Sequence, residues 1–195
     1  MTFIDTVEED HAEGAVAAMY ETDRQVFGQL PNLTKAFSLR PDVYAAWRGL
    51  NGAVKGNMDL RRYELATVAA AVHLRSSYCT LAHGSVLLDQ FLSPDAVRAV
   101  VDGRDSAELD AVDVAVMGLA DKVARDATSV TEADVDGLRT LGLTDAEILD
   151  VVLAAALRCF FSKVLDGLGV APDARYRQLD PPLREALTVG RAIAD

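Results

Sequence analysis

The chain has 195 residues, half of them hydrophobic, which is enough apolar surface for one globular domain with a real core. Its formal net charge of -11, from 30 acidic and 19 basic residues, argues against binding to nucleic acid or to an anionic membrane surface. The two cysteines, Cys79 and Cys159, are too few for a disulfide-stapled domain and indicate a reducing compartment.

The periodicity predicts an all-α fold, because apolar residues recur three and four positions apart and no segment alternates as a strand would. The predicted helices, in chain order, are residues 12–27, 31–38, 41–55, 60–74, 77–90, 94–101, 107–125, 132–141 and 145–168. No domain boundary is visible. We therefore predict a single domain over residues 1–195, with an N-terminal helical extension over about 1–40 and a C-terminal tail over about 174–195.

Several predicted helices begin with a recognisable capping pattern. Ser93 precedes a proline, and Thr144 with Glu147 has the spacing of a reciprocal capping box. The acidic N-terminal stretch lacks the features of a signal peptide, and the apolar runs are too short to cross a bilayer. We therefore expect a soluble cytoplasmic protein that binds neither nucleic acid nor membrane.

The segment 75-RSSYCTLAHGSVL-87 places a cysteine and a histidine one helical turn apart. On an ideal helix Ser76, Cys79 and His83 fall within about 60 degrees of one another and share a face. If the helix begins near Ser76 or Ser77, Cys79 lies in its first turn. There the helix dipole and the nearby imidazole both favour the thiolate over the thiol, as a nucleophilic cysteine requires.

A structural interpretation competes with this one, because free cysteine is often buried and a histidine at helical spacing can be a core residue. A metal site made of Cys79, His83, Glu64 and His73 would have suitable donor atoms. It lacks the paired short spacings of structural zinc sites. The sequence therefore predicts neither a metal nor a cofactor.

The segment 60-LRRYELATVAAAVHLRSSYCTLAHGSVL-87 resembles the core motif of the alkylhydroperoxidase D and carboxymuconolactone decarboxylase superfamily, a glutamate followed by C-x-x-C-x-x-x-H. In this alignment Glu64 is the motif glutamate, Cys79 is the second motif cysteine and His83 is the motif histidine. Ser76 occupies the position of the first cysteine. The likeness extends to residues 31–47 and 153–173, which resemble the flanking segments of the peroxidase-related branch.

The resemblance implies an alkylhydroperoxidase D-like helical bundle that assembles into a homo-oligomer, as a dimer, trimer or hexamer. It also implies a thiol-dependent, antioxidant peroxidase-like oxidoreductase acting on a small hydroperoxide. Cys79 would attack the peroxide, while His83 and Glu64 would relay protons. In the family the first motif cysteine resolves the oxidised thiol.

Ser76 interrupts that cycle, because a hydroxyl cannot form a disulfide, although it can hydrogen-bond a thiolate and hold the geometry. An external thiol could resolve Cys79, or Cys159 could do so. Alternatively, His83 and Glu64 could perform acid–base chemistry on a small carboxylated or lactone substrate, as in the decarboxylase branch. A further alternative is a non-catalytic, redox-sensing helical oligomer.

Some residues near the motif have alternative interpretations. Glu64 follows 61-RRY-63, and an exposed glutamate paired with an arginine is the ordinary explanation of such a cluster. Burial of Glu64 beside His83 would instead raise the pKa of the carboxyl group and suit it to move protons. Tyr78 could orient a substrate through its phenol, or its ring could pack on a neighbouring helix. Trp47 and Phe37 are predicted to belong to the core or an interface.

Overall fold

The computed structural model describes residues 2–103 and 105–195, and over these residues the chain forms helices and no strand. The helices are α1 (Gly14–Phe27), α2 (Asn32–Ala36), α3 (Pro41–Asn57), α4 (Leu60–His73), α5 (Ser77–Gln90), α6 (Pro94–Asp102), α7 (Ala111–Asp126), α8 (Glu132–Thr140), α9 (Asp145–Gly167) and α10 (Pro181–Leu187). Short 3-10 turns lie at Glu9–His11, Ala127–Ser129 and Ala174–Gln178. The all-α prediction is confirmed.

Helix starts follow local capping chemistry. Thr144 and Glu147 form the predicted reciprocal box, and the Ser93 hydroxyl accepts a hydrogen bond from the backbone of Ala96 at 3.2 Å. The predicted start of α7 at residue 107 is wrong by four positions. Asp110 caps the helix by accepting from the Asp113 backbone at 2.8 Å, so α7 begins at the next residue.

The centre of the fold is α4, which packs against α5, α7 and α9. Its sequence is rich in alanine, and Ala66, Ala70 and Ala71 are fully buried. Small side chains allow the neighbouring helices to approach closely, so this helix can be covered on nearly every side. The residues of α4 that face α5 and α9 therefore lie beside the motif residues of α5 that the sequence predicted.

The two terminal segments lie on this helical core. In the N-terminal segment the Tyr20 hydroxyl donates to the Val7 carbonyl at 2.6 Å. In the C-terminal segment α10 lies against α5, where the Thr80 hydroxyl donates to the Leu187 carbonyl at 2.5 Å. The approach is close because residue 84 is a glycine: a Cβ there would lie 2.6 Å from the Leu187 side chain.

No helix in the described part of the chain combines the length and the apolar character needed to cross a membrane.

Candidate functional site

The predicted motif lies at the start of α5. Arg75 has a left-handed backbone with φ of 54°, which ends the run of α4, and Ser76 is extended as the residue before α5. The helix begins at Ser77, so Cys79 is the third residue of its first turn. The predicted position of Cys79 at a helix N-terminus is confirmed, and the helix dipole there favours an anionic sulfur.

A cavity of about 750 Å³ lies between α3, α4, α5, α9 and the 174–179 segment. It is lined by the polar side chains of Lys55, Glu64, Cys79, His83 and Arg158, among others. Three of the predicted catalytic residues, Glu64, Cys79 and His83, therefore share one cavity. This volume lies within the range of about 300–1,000 Å³ typical of sites for small organic ligands.

Cys79 Sγ is nearly buried, with 2% of the residue exposed, and its partners come from α9. The Ser162 hydroxyl lies 3.2 Å and the Arg158 Nη1 lies 3.4 Å from the sulfur. Arg158 and Ser162 are four positions apart, so both project from the same face of α9. The sequence analysis missed both residues, although two polar side chains at this spacing within an otherwise apolar helix are a signal that a buried polar contact is required.

His83 and Glu64 form a second polar group in the cavity. The His83 Nδ1 lies 2.5 Å from Glu64 Oε2, and the Lys55 ammonium donates to Glu64 Oε1 at 3.1 Å. Burial acts to raise the pKa of Glu64, but His83 and Lys55 outweigh it and leave that pKa below its usual value. The expected rise is therefore wrong: Glu64 is an anion that orients the imidazole.

The environment of His83 keeps its ring neutral at physiological pH. Burial lowers the pKa of His83, and the positive charge of Arg158 lowers it further, against the opposing effect of Glu64. With Glu64 as a carboxylate, Nδ1 carries the hydrogen that it donates to Glu64. The other ring nitrogen, Nε2, is then a proton acceptor.

Ser76 is fully buried but is not among the side chains that line the cavity. Its hydroxyl forms no hydrogen bond of standard geometry, and it interacts weakly with the Asp166 carboxyl. Burial raises the pKa of Asp166, and Ser76 and Arg191 offset part of that rise. The expected hydrogen bond from Ser76 to the Cys79 sulfur is not made.

The ring of Tyr78 lines the cavity, but its phenol is already used. It donates to Asp173 Oδ2 at 2.5 Å and accepts from the backbone of Leu33 at 3.2 Å. Burial and the Asp173 carboxylate raise the pKa of Tyr78 well above its ordinary value. Tyr78 therefore supplies a wall and ties α5 to the C-terminal segment, and its hydroxyl does not face a substrate.

Cys159 does not line the cavity. It follows Arg158 directly, and successive residues on a helix point about 100 degrees apart, so it lies on a different face from the one that meets Cys79. Burial raises the pKa of the Cys159 thiol, in spite of the nearby Lys163 and Arg158 charges. Both features argue against Cys159 as the group that resolves Cys79.

The remaining histidines lie elsewhere. His73 is 3.4 Å from Asp121, and His11 is largely exposed beside Asp10. Within residues 2–103 and 105–195, no cluster of three or more histidine, cysteine, aspartate or glutamate side chains is placed to hold a metal ion.

Aromatic rings on α3 and α9 form one wall of the cavity. Trp47 stacks on Phe161 with ring centroids 3.9 Å apart, and Tyr44 extends the stack at 5.9 Å from Trp47. All three line the cavity, whereas Phe37 stacks behind Phe161 in the core. Trp47 packs against the hydrophobic core, as predicted, and it also forms part of the cavity wall. Its indole Nε1 is buried without a hydrogen-bond partner.

Residues 41–122 match the model of the carboxymuconolactone decarboxylase family. This span contains Lys55, Glu64, Cys79 and His83, but it ends before Arg158. The part of the chain that carries the motif is therefore similar to the carboxymuconolactone decarboxylase family. A comparison with curated proteins finds no significant sequence match.

Two solved structures described as peroxidase-related proteins have the same fold as this chain. An uncharacterized peroxidase-related protein from Ralstonia eutropha JMP134, described as an alkylhydroperoxidase AhpD core, is 22% identical with a TM-score of 0.81, covering 90% of this chain and 94% of that one. A peroxidase-related protein from Silicibacter sp. TM1040 is 20% identical with a TM-score of 0.76, covering 90% and 91%. The predicted helical bundle is confirmed.

The debrominase Bmp8, in a cysteine-to-alanine variant bound to 2,3,4-tribromopyrrole, has the same fold. It is 12% identical to this chain with a TM-score of 0.75, and the match covers 93% of this chain and 95% of that one. One fold thus carries differently described activities, so the reaction must be argued from the site.

Proposed function

We propose that the protein is a thiol-dependent oxidoreductase that reduces organic hydroperoxides at Cys79. The observation that supports this most strongly is that the Cys79 sulfur and the His83–Glu64 pair line the same cavity. A nucleophile and an oriented proton acceptor that face one substrate space are the groups that this reduction needs.

In the proposed step the Cys79 thiolate attacks the terminal oxygen of the hydroperoxide, and an S–O bond forms as the O–O bond breaks. Neutral His83 accepts the proton of that terminal oxygen at Nε2 and passes it to the departing alkoxide. The alcohol leaves, and Cys79 remains as a sulfenate. The sulfur is oxidised by two electrons and the hydroperoxide is reduced by two. Glu64 stabilises the transient imidazolium, as an oriented carboxylate does for a histidine base.

Two equivalents of an external thiol then return the sulfenate to the thiolate, with release of one disulfide and one water. An external thiol is required because Ser76 cannot form a disulfide and Cys159 does not line the cavity. We therefore propose a one-cysteine cycle. The cavity volume of about 750 Å³ and the Trp47–Phe161 wall favour an organic hydroperoxide over hydrogen peroxide.

The test is consumption of cumene hydroperoxide in the presence of dithiothreitol by two matched variants. Cys79→Ser should lower kcat/KM by roughly 1000-fold or more, because the nucleophile is lost. Cys159→Ser should leave kcat/KM unchanged and serves as the control for losing a thiol. Mass spectrometry after a single turnover should find the oxidised sulfur on Cys79.

Retention of hydroperoxide turnover in Cys79→Ser would overturn the proposal. If that variant also converted lactones or small carboxylic acids at rates close to those of the parent, the acid–base alternative at His83 and Glu64 would replace it. Reversible oxidation of Cys79 without turnover under any thiol would instead favour the redox-sensing alternative.

A second candidate function is thiol-dependent removal of a halogen from an aromatic ring. The stacked aromatic wall favours it, because it presents a flat apolar surface in the cavity that the Cys79 thiol also lines. An aryl bromide and two thiols would give the reduced ring, a disulfide and hydrogen bromide. Bromide release from brominated pyrroles or phenols, measured with the same two cysteine variants, tests this function.

A further inference from the structure

Arg158 is a buried cation that lacks a carboxylate partner in the described part of the chain. Only 2% of the residue is exposed, and its Nε forms no hydrogen bond. A guanidinium stays protonated at every physiological pH, and a buried charge without a counter-ion costs free energy. The site therefore needs an anion beside Arg158.

The Cys79 sulfur is placed to be that anion. Arg158 Nη1 lies 3.4 Å from Sγ, and the Ser162 hydroxyl lies 3.2 Å from it. We propose that Arg158 is the counter-ion of the Cys79 thiolate, with Ser162 as a second donor, so that thiolate formation does not depend on His83. This inference rests on the proposed function, in which the Cys79 sulfur is the reacting atom.

The electrostatic surroundings of Arg158 agree with this geometry. Burial acts to lower the pKa of Arg158, but attraction to Cys79, followed by Tyr63 and Glu64, leaves that pKa raised. Among the neighbouring groups, Cys79 thus contributes most to the raised pKa of Arg158.

His83 is unsuited to the same task for two reasons. Its ring is neutral at physiological pH, because burial and Arg158 lower its pKa, and a neutral imidazole provides no positive charge. Among residues 2–103 and 105–195, Sγ accepts hydrogen bonds from Arg158 and Ser162, and the imidazole donates none to it. His83 is left as the proton acceptor for the substrate.

The other charged or titratable groups around the sulfur come from three elements. Tyr176 of the Ala174–Gln178 turn interacts with Cys79, and burial raises the pKa of this phenol, so it is uncharged at neutral pH. Glu64 and Tyr63 on α4 act on Arg158, and Lys55 on α3 is paired with Glu64. Arg158 is therefore the one cation in contact with Sγ within the described residues.

The same pairing serves both oxidation states of the proposed cycle. The thiolate and the sulfenate both carry a negative charge on the group that faces Arg158, and a guanidinium is always charged. Attack on the substrate therefore does not leave the buried cation unpaired. Two tasks are thus carried out by different groups: Arg158 on α9 stabilises the anionic sulfur of Cys79, and the His83–Glu64 pair moves the proton.

The experiment measures the rate of alkylation of Cys79 by iodoacetamide between pH 5 and 10, in a Cys159→Ser background. Arg158→Met keeps most of the side-chain volume and removes the charge. We expect the midpoint of its rate profile to move to higher pH by about one unit or more, and its rate below both midpoints to fall about tenfold or more. Arg158→Lys should recover part of the loss, because it restores a charge.

Two further variants separate this role from a structural one. Ser162→Ala removes a single hydroxyl and should move the midpoint in the same direction by a smaller amount, even if Arg158→Met does not fold. His83→Gln should leave the alkylation profile in place while lowering hydroperoxide turnover. Near-ultraviolet circular dichroism of each variant reports whether the core is intact.

The inference is overturned if His83→Gln moves the alkylation midpoint while Ser162→Ala and a folded Arg158→Met do not. Failure of the proposed function would look different. In that case the parent protein would lack turnover with every hydroperoxide, while the alkylation profile would still depend on Arg158 and Ser162.

Discussion

Two buried charges differ in how fully their hydrogen-bonding groups are paired: Arg158 lines the cavity, and Asp23 lies behind the cavity wall. The fully buried Asp23 carboxylate accepts from the Thr34 hydroxyl at 2.5 Å, from the Tyr44 hydroxyl at 2.6 Å and from Arg48. The Arg158 guanidinium has sulfur as its hydrogen-bond acceptor and leaves Nε unpaired. Asp23 joins α1, α2 and α3, whereas Arg158 faces the substrate space.

This difference distinguishes a buried charge that stabilises the fold from one that takes part in the chemistry of the site. A buried charge with several strong partners is held in one arrangement and contributes to the stability of the fold. A buried charge with weak partners stabilises the fold less, but it can respond when the charge on its neighbour changes. Substitutions in the two clusters should therefore affect different measurements.

The largest expected effect is on stability. Asp23→Ala leaves the buried Tyr44 hydroxyl and the half-buried Arg48 without their acceptor, so it should lower the free energy of unfolding by about 3–5 kcal/mol. Urea denaturation measures this change. The control is Asp5→Ala, at an exposed position, which should change stability by less than about 0.5 kcal/mol. A loss below about 1 kcal/mol in Asp23→Ala would remove the distinction between the clusters.

The next effect is on the pH dependence of turnover. His83 must be neutral to accept a proton, and burial together with Arg158 lowers its pKa below the ordinary value. Hydroperoxide reduction should therefore persist to lower pH than an ordinary histidine would allow, and decline about tenfold per pH unit below the lowered pKa. The profile of kcat/KM against pH measures this.

Removal of the Arg158 charge should move the decline of kcat/KM at low pH to higher pH. Arg158 is one of the groups that lower the pKa of His83, so Arg158→Met should raise this pKa and bring the decline nearer to neutral pH. Arg158→Lys should restore the parent profile. If neither substitution moves the decline of kcat/KM at low pH, the charge of Arg158 does not affect the pKa of His83.

The smallest effect concerns the aromatic wall. Trp47→Leu removes the ring stacked on Phe161 and should weaken binding of an aromatic substrate by about 3- to 10-fold, seen in KM more than in kcat. Trp47→Phe keeps a ring and should lose less. Equal KM values for aromatic and aliphatic hydroperoxides in the parent would contradict the role given to this wall.

Local sequence patterns predicted most of the helices. Hydrophobic periodicity and capping residues located the helix ends to within a few residues, because both depend on contacts between near neighbours in the chain. The exception at residue 107 arose where the Asp110 cap was overlooked. The resemblance to the family motif also predicted Glu64, Cys79 and His83, three residues that line one cavity.

The roles of those residues could not be predicted in the same way. The pKa of Glu64 was expected to rise on burial, but Lys55 and His83 lower it, and Lys55 lies on another helix. The Tyr78 phenol was a candidate to orient a substrate, but it is hydrogen-bonded to Asp173, which lies 95 positions away along the chain.

By itself the sequence determined the helical architecture, the likeness to the family motif and the position of Cys79 in the first turn of α5, since each depends on residues within one or two helices. The tertiary structure alone decided which groups contact the Cys79 sulfur. Arg158 and Ser162 lie 79 and 83 positions from Cys79, and nothing in local periodicity relates them to it. They meet because α5 and α9 both pack against the alanine-rich α4, which brings a buried cation and a buried thiol into contact.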